Sequence, residues 1–231
     1  MRHDRGFSLI ELLMAMAIAG VVVGGVYSVY LTQQKSYLAQ QAIVAMQQSL
    51  RGAMQLMERD IRMAGYTPYE ESSAGIQTAN SDAIRFTLDI HDGVDNDSDG
   101  RTDEFDEVGN GDDDTADIGE DITYFRADPD GDGVFDLFRR DAFLGADQIL
   151  AYHVDALDLV YLDKAGSVTS DLGKIRSVQV TMVARTGRPD RGFRDNTIYI
   201  NQKGTVILPQ QNDSFRRKLL TCEVKGRNLA L

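Results

Sequence analysis

The chain has 231 residues, with 24 lysines and arginines against 36 aspartates and glutamates, a formal net charge of −12, one cysteine and no tryptophan. That length accommodates one anchor helix and one globular domain of ordinary size, and the acidity argues against nucleic acid as a partner. The lone thiol, Cys222, excludes an intramolecular disulfide.

The first predicted element is an apolar run from Phe7 to about Leu31, interrupted only by Ser8, Glu11 and Ser28. About 20 residues at 1.5 Å each suffice to cross a bilayer as a helix. A carboxylate at that depth costs at least about 2.5 kcal/mol, so Glu11 reads as functional. Ala17-Ile18-Ala19 before Gly20 fits a signal-peptidase pattern, but such a site should end the apolar region and this one lies in its middle. A plain membrane anchor explains the length and leaves Glu11 unexplained.

Gly6, Phe7 and Glu11, behind the short charged leader MRHDRG, resemble the signature of type IV prepilins and pseudopilins. The resemblance implies a prepilin peptidase that cuts after Gly6 on the cytoplasmic side of the inner membrane and methylates the new amino group of Phe7. It also implies that Glu11 faces the Phe7 ammonium of an adjacent pilin, so that pairing in the filament offsets the cost of burying both charges. Residues 1–6 are then the leader, 7–31 the membrane and assembly helix, 32–65 the stem helix and 66–231 a β-rich head, periplasmic at first and later at the cell surface. The implied fold is the α+β pilin fold, a long N-terminal α-helix packed on an antiparallel β-sheet, here with inserted acidic calcium-binding loops. A head in the oxidising periplasm without a disulfide needs another staple.

Beyond the membrane, Ile43, Met46, Leu50, Met54, Met57, Ile61 and Ala64 recur every three or four residues and define one apolar helical stripe. Gly65, with Pro68 shortly after, should end the helix. From Phe7 to Ala64 it would hold roughly 58 residues and span about 87 Å. The methionines read as core packing against a sheet rather than a cofactor site.

Residues 89–121 contain fifteen acids and one arginine, a net of −14, which leaves the rest of the chain at about +2. Within them Asp95, Asp97, Asp99, Asp103 and Asp106 fall at loop positions 1, 3, 5, 9 and 12, with Gly100 at position 6. That spacing wraps oxygen ligands about Ca²⁺, with the Arg101 carbonyl at position 7 as a further ligand. Position 12 is an aspartate where a longer, bidentate glutamate is usual, so Glu107, Glu104 and Asp92 are additional candidates. The flanks lack a helical pattern, which makes this a calcium loop outside an EF-hand pair.

A second copy places Asp128, Asp130, Asp132 and Asp136 at positions 1, 3, 5 and 9, with Gly133 at the turn and the Val134 carbonyl at position 7. Arg139 then occupies position 12 and cannot ligate, so Asp141 or the run Asp112 to Asp114 would have to close the site. The competing reading is a solvated acidic loop, to which acid-rich runs usually amount.

Strands are predicted at 83–89, 121–126, 134–139, 149–154, 156–162, 176–184, 197–201 and 205–208. In the sixth, Val178, Val180 and Met182 alternate with Ser177, Gln179 and Thr181, the pattern of a strand with one wet face. MERDIRMAGY (57–66) and FRRKLLTCEVKGRNL (215–229) resemble the PilW-like minor pilins and their relatives, the J-type pseudopilins of type II secretion, although Lys225-Gly226 replaces a usual apolar residue. Arg216 and Arg217 read as surface or sheet-edge charges, and Cys222, in a strand-like LLTCEV setting, as a buried small hydrophobe.

No GxSxG, Walker or HExxH motif occurs, so the reading is not an enzyme. The role expected is a minor pilin that joins or initiates a type IV pilus. Alternatives are a pseudopilin at the tip of a type II secretion pseudopilus and a calcium-dependent adhesive subunit.

Overall fold

The computed structural model describes residues 8–67, 74–88 and 119–229. Its first element, α1 (Leu9–Met63), is one helix of 55 residues, close to the predicted span; Gly6, Phe7 and Pro68 lie outside the described residues. Ser8 starts it. Its hydroxyl oxygen accepts the Ile10 N–H at 3.2 Å, while Glu11 Oε2 accepts the Ser8 N–H at 3.1 Å, a reciprocal cap that satisfies otherwise orphaned donors. Gly65 closes the far end with φ of +73° and donates its N–H to the Thr87 carbonyl at 3.0 Å. A Cβ there would lie 3.1 Å from the Asn228 carbonyl oxygen, so both conformation and space demand glycine.

Residues Met1–Ile43 and Val44–Leu231 form two compact units. In the first, every large apolar side chain from Leu9 to Tyr30 is more than half exposed, and the helix is long and apolar enough to cross a membrane. In the second, the head, Met46, Leu50, Ala53, Met54, Met57 and Ile61 bury the expected stripe.

The head contains β1 (Ile76–Ala79), β2 (Ala83–Thr87), β3 (Asp121–Ala127), β4 (Asp136–Asp141), β5 (Asp147–Ala151), β6 (Val154–Leu162), β7 (Ser177–Arg185), β8 (Tyr199–Ile200), β9 (Val206–Leu208) and β10 (Arg217–Lys225). They build an antiparallel five-stranded sheet in the order β1-β2-β3-β4-β5, a three-stranded sheet β10-β7-β6, and a β8-β9 hairpin. The single predicted sheet is thus divided. Strand β1 is not among the predicted strands, and β10 adds Arg217, Lys218 and Lys225 to the strand-like LLTCEV stretch. The two sheets meet where the Leu159 N–H donates to the Ser81 carbonyl at 2.8 Å and the Tyr161 hydroxyl to the Asn80 carbonyl at 2.8 Å.

The predicted wet face of β7 is not wet. Ser177, Gln179 and Thr181 are buried along with Val178, Val180 and Met182. The β8-β9 hairpin accounts for part of this: Tyr199, Ile207 and Leu208 pack on Ala156, Val183 and Leu219, and Asn201 donates to Asp158 at 2.9 Å. Ser177 and Gln179 instead donate to Glu223 on β10, at 3.2 and 3.0 Å. A central strand covered on both faces tolerates polar side chains when they find partners.

Helix and sheets are joined by polar contacts as well as by apolar packing. Asp60, buried on α1, accepts the Tyr124 hydroxyl of β3 at 2.7 Å and Arg139 Nε of β4 at 3.2 Å. Burial and the neighbouring Asp60 charge raise the Tyr124 phenol well above its ordinary value, so it remains a donor at neutral pH. On the other sheet, Cys222 Sγ of β10 lies 3.1 Å from Met54 Sδ. Asp60→Ala would leave a half-buried guanidinium and a buried phenol without their shared acceptor. The expected loss is about 3–5 kcal/mol, measured by urea unfolding of the head, with Asp60→Asn losing less because an amide oxygen can still accept from Tyr124.

Candidate functional site

Three clusters of functional groups stand out among the described residues, two of them singled out by the sequence. At the N-terminus, Glu11 is exposed on the first turn of α1. Its only partner among the described residues is the Ser8 N–H, one residue from the predicted processing point. The carboxylate thus reaches back toward the chain start, where a negative charge also complements the positive end of the helix dipole. Gly6 and Phe7 lie outside the described residues, as does the whole first acidic loop with Asp95, Asp97, Asp99, Arg101, Asp103 and Asp106.

The second acidic loop is the turn between β3 and β4. Asp128, Asp130 and Asp132 each bring a carboxylate oxygen within 4.8 Å of the others. Two glycines permit this. Gly131 and Gly133 have φ of +72° and +80°, and both donate N–H bonds at 2.9 Å to the two oxygens of Asp128. Val134 N–H donates to Asp132 at 2.7 Å. Slight desolvation opposes the charged form of Asp128, but the Gly133 N–H, Asp130 and further backbone donors prevail and hold its carboxyl below the usual range.

Two of the other acids named for this loop, Asp136 and Asp141, are engaged elsewhere, and Asp112 to Asp114 lie outside the described residues. Asp136 turns away and accepts the His153 N–H at 2.8 Å at the β5–β6 corner. Asp141, offered as a closing acid, is buried and accepts N–H bonds from Gly119 at 2.7 Å and Phe143 at 3.1 Å. Arg139 is absorbed by Asp60. The loop therefore presents three of the six to eight oxygens that Ca²⁺ requires, and these carboxylates suit a hard cation, with carbonyls and water left to supply the rest.

A third cluster was missed by the sequence reading. Arg217, read as a surface or sheet-edge charge, stands on the edge strand β10, yet its side chain is only 2% exposed. Its Nε meets Asp155 at 2.6 Å, one terminal nitrogen meets Asp195 at 3.1 Å, and both terminal nitrogens meet Asp213 at 2.7 Å in a bidentate pair. Tyr199 adds a hydroxyl donated to Asp195 at 3.0 Å. Arg185 lies over the Phe215 ring at 4.3 Å, and its Nε is 3.2 Å from Asp155, a charge contact without an aligned hydrogen bond.

Burial opposes the charge on Arg217, but Asp213, Asp155 and Asp195 more than compensate and raise its pKa. Burial likewise opposes the Asp195 charge, while the Thr197 N–H and Arg217 hold that carboxyl below its ordinary range. Arg217 lowers Asp213 directly. The Tyr199 phenol is pushed up to about 12 by burial and by Asp195. Cys222 is half-buried, not fully buried as expected, and burial, with Glu58 adding, pushes its thiol up to about 11. It is therefore protonated and a poor nucleophile at neutral pH.

Residues 1–27 match the model of the prokaryotic N-terminal methylation motif. Among solved structures, a type IV-like pilin from Thermus thermophilus is similar over 80% of this chain and 97% of its own, at 13% sequence identity and a TM-score of 0.46. A comparison with curated proteins finds no significant match. At the level of its family, the methylation motif implies processing by a prepilin peptidase and assembly with other pilins, and with the apolar helix it is consistent with membrane anchoring beforehand.

The Arg217 cluster predicts a definite pH dependence. Asp195 and Asp213 have folded pKa values below their unfolded ones, so their contribution is present above about pH 4 and is lost as pH falls through the folded values. Tyr199 works at the other limit: its contribution is present below about pH 10 and disappears as pH rises toward 12. Arg217→Met should lower stability at pH 7 by about 3–5 kcal/mol and flatten the acid limb, read from urea midpoints between pH 2 and 7.

Proposed function

We propose that this type IV pilin-like chain is a minor pilin, of the PilW-like kind, which is incorporated into or initiates a type IV pilus. The observation that carries the reading is the run of exposed apolar side chains from Leu9 to Tyr30, broken by the carboxylate of Glu11 directly behind a methylation motif. An apolar helix of this kind is soluble in lipid or in a bundle of its own kind. After cleavage the Phe7 amine of an adjacent subunit supplies a cation that Glu11 lacks among the described residues. The PilW-like kinship is supported by MERDIRMAGY, whose Asp60 and Arg59 pair at 2.9 Å, and by the C-terminal RRK, whose central arginine is Arg217.

Its head is stabilised by Ca²⁺ at the two acidic loops. In the first, Asp95, Asp97, Asp99, Asp103 and Asp106 with the Arg101 carbonyl have the ligand spacing. In the second, Asp128, Asp130 and Asp132 supply three carboxylates, with the Val134 carbonyl in the same sequence register. Bound calcium would neutralise carboxylates that otherwise repel one another, and a ligand that binds only the folded loop stabilises the fold by mass action.

Glu11→Ala should leave membrane insertion unchanged and reduce the chain in sheared pili about tenfold or more, measured by immunoblot of the pilus and membrane fractions. Equal incorporation would remove the role given to Glu11. For calcium, a hundredfold excess over Kd is worth about 2.7 kcal/mol per site. The head from residue 32 onward should therefore melt about 5–10 °C higher with calcium than with chelator. Asp97→Ala with Asp99→Ala should remove most of that difference; an unchanged melting temperature would leave the loops as solvated acid.

A further inference from the structure

The apolar part of α1 has an aromatic edge. Tyr27 and Tyr30, three residues apart and so on one side of the helix, are both more than half exposed. Their hydroxyls make no hydrogen bond among the described residues. Five polar residues, Thr32 to Ser36, follow Leu31 at once, and Lys35 is the first lysine or arginine after the leader. Tyr37 belongs to that polar stretch, where its hydroxyl accepts a hydrogen bond from Gln41 Nε2 at 2.7 Å. A tyrosine with an unbonded hydroxyl suits neither the hydrocarbon interior nor bulk water, and is held best where the two meet.

Glu11 lies sixteen and nineteen residues before these tyrosines in one unbroken helix, about 24 and 29 Å along its axis. Its carboxylate reaches further. Helical side chains tilt toward the N-terminus, and Glu11 Oε2 accepts the Ser8 N–H at 3.1 Å, which puts that oxygen nearly one turn beyond its own Cα. The tyrosine pair and the carboxylate are thus about 30 Å apart, the thickness of a hydrocarbon core. Every residue from Leu12 to Val26 between them is apolar or glycine, and Ile18 falls near the middle.

We infer that Tyr27 and Tyr30 form a girdle that binds the lipid–water interface and fixes the depth of the membrane-resident chain, so that the Glu11 carboxylate lies at the opposite interface rather than within the hydrocarbon. The inference rests on the reading of this helix as a membrane anchor before assembly and adds what sets its depth. The phenol hydroxyls bond to headgroup oxygens and water while the rings cover acyl chains. The carboxylate meets water at the other boundary, where a charge costs far less than at the centre of a span. A helix that leaves lipid on the tyrosine side draws this carboxylate through the whole core, so the cost of the charge falls on departure. An ammonium partner for Glu11 then matters most during that passage.

The chain has no tryptophan, so each single substitution introduces one fluorophore. The full chain carrying Tyr27→Trp, Tyr30→Trp, Ile18→Trp or Leu12→Trp is placed in phosphatidylethanolamine–phosphatidylglycerol vesicles whose lipids are brominated near the headgroup or near the chain ends. Ile18→Trp should be quenched most by the deep bromines. Tyr27→Trp, Tyr30→Trp and Leu12→Trp should be quenched most by the shallow ones, at depths about 10–15 Å from the bilayer centre. With Tyr27→Leu and Tyr30→Leu added, the apolar segment lengthens to Leu31, and the Leu12→Trp ring should move by about 3–5 Å, two or three residues of helical rise. Deep quenching of Tyr27→Trp and Tyr30→Trp, or an unmoved Leu12→Trp ring, would overturn the inference and leave the anchor reading intact. An unmoved ring together with loss of the Tyr27→Leu, Tyr30→Leu chain from sheared pili would overturn it by assigning the tyrosines to packing between helices. Absence of quenching in every variant, Ile18→Trp included, would remove both the inference and the anchor reading.

Discussion

The guanidinium of Arg217 must be satisfied inside the protein, and much of the C-terminal half of the head is arranged to do so. Asp155 comes from β6, Asp195 from the approach to β8, and Asp213 from the approach to β10. Replacing such a cluster by well-fitted apolar side chains need not cost stability, but removing one member strands the others in low dielectric. The arrangement therefore acts as an all-or-none clasp: β10 cannot leave β7 without exposing an arginine and abandoning three acids. In a chain with one half-buried thiol and no disulfide, this clasp is a covalent-free counterpart of a cross-link. It holds segments 62, 22 and 4 residues apart in sequence.

Asp60 solves a related problem at the other sheet. A helix with an apolar stripe can slide or rotate against an apolar sheet at little cost, because dispersion contacts are individually weak and non-directional. One buried carboxylate that accepts from Tyr124 on β3 and Arg139 on β4 selects a single register. Met54, against Cys222 on β10, sits six residues earlier and about 120° around the helix. The same 3.6-residue periodicity thus addresses two separate sheets, and Gly65, pressed against Asn228 and bonded to Thr87, ties the end of the helix to both.

Features written in local periodicity were legible in the sequence. The helix ends within a residue or two of expectation, its buried stripe is the predicted one from Met46 to Ile61, and the long strands β3, β6 and β7 begin and end within two residues of the predicted segments. What was not legible depends on residues far away in the chain. The alternation of Ser177, Gln179 and Thr181 spells a wet face only until Glu223 and the β8-β9 hairpin are placed over it. Arg217 looks like any arginine in a basic run, because its acids arrive from other elements. At the acidic turn, spacing identified Asp128, Asp130 and Asp132 correctly as a cluster, but Asp136 was diverted by a backbone donor at His153 that no ligand-spacing rule includes. At Glu11 the capping partnership with Ser8 was present in the pattern S-x-x-E and was overlooked beside its membrane depth.

That partnership changes how the energy of Glu11 should be considered. In the single chain the carboxylate is not wholly unpaired, since the Ser8 N–H and the positive end of α1 both favour its charge. A backbone donor offsets only part of the desolvation cost, however, because it carries no formal charge and leaves lone pairs of the carboxylate open. Cleavage behind Gly6 would create a full positive charge within a few residues of the same carboxylate. The free chain is then held in a state that is tolerable but incompletely satisfied, and an adjacent ammonium offers more than the cap can. Under the proposed function, this difference between two partners, rather than the presence of a charge as such, is the driving force for a helix that first resides in lipid and later leaves it.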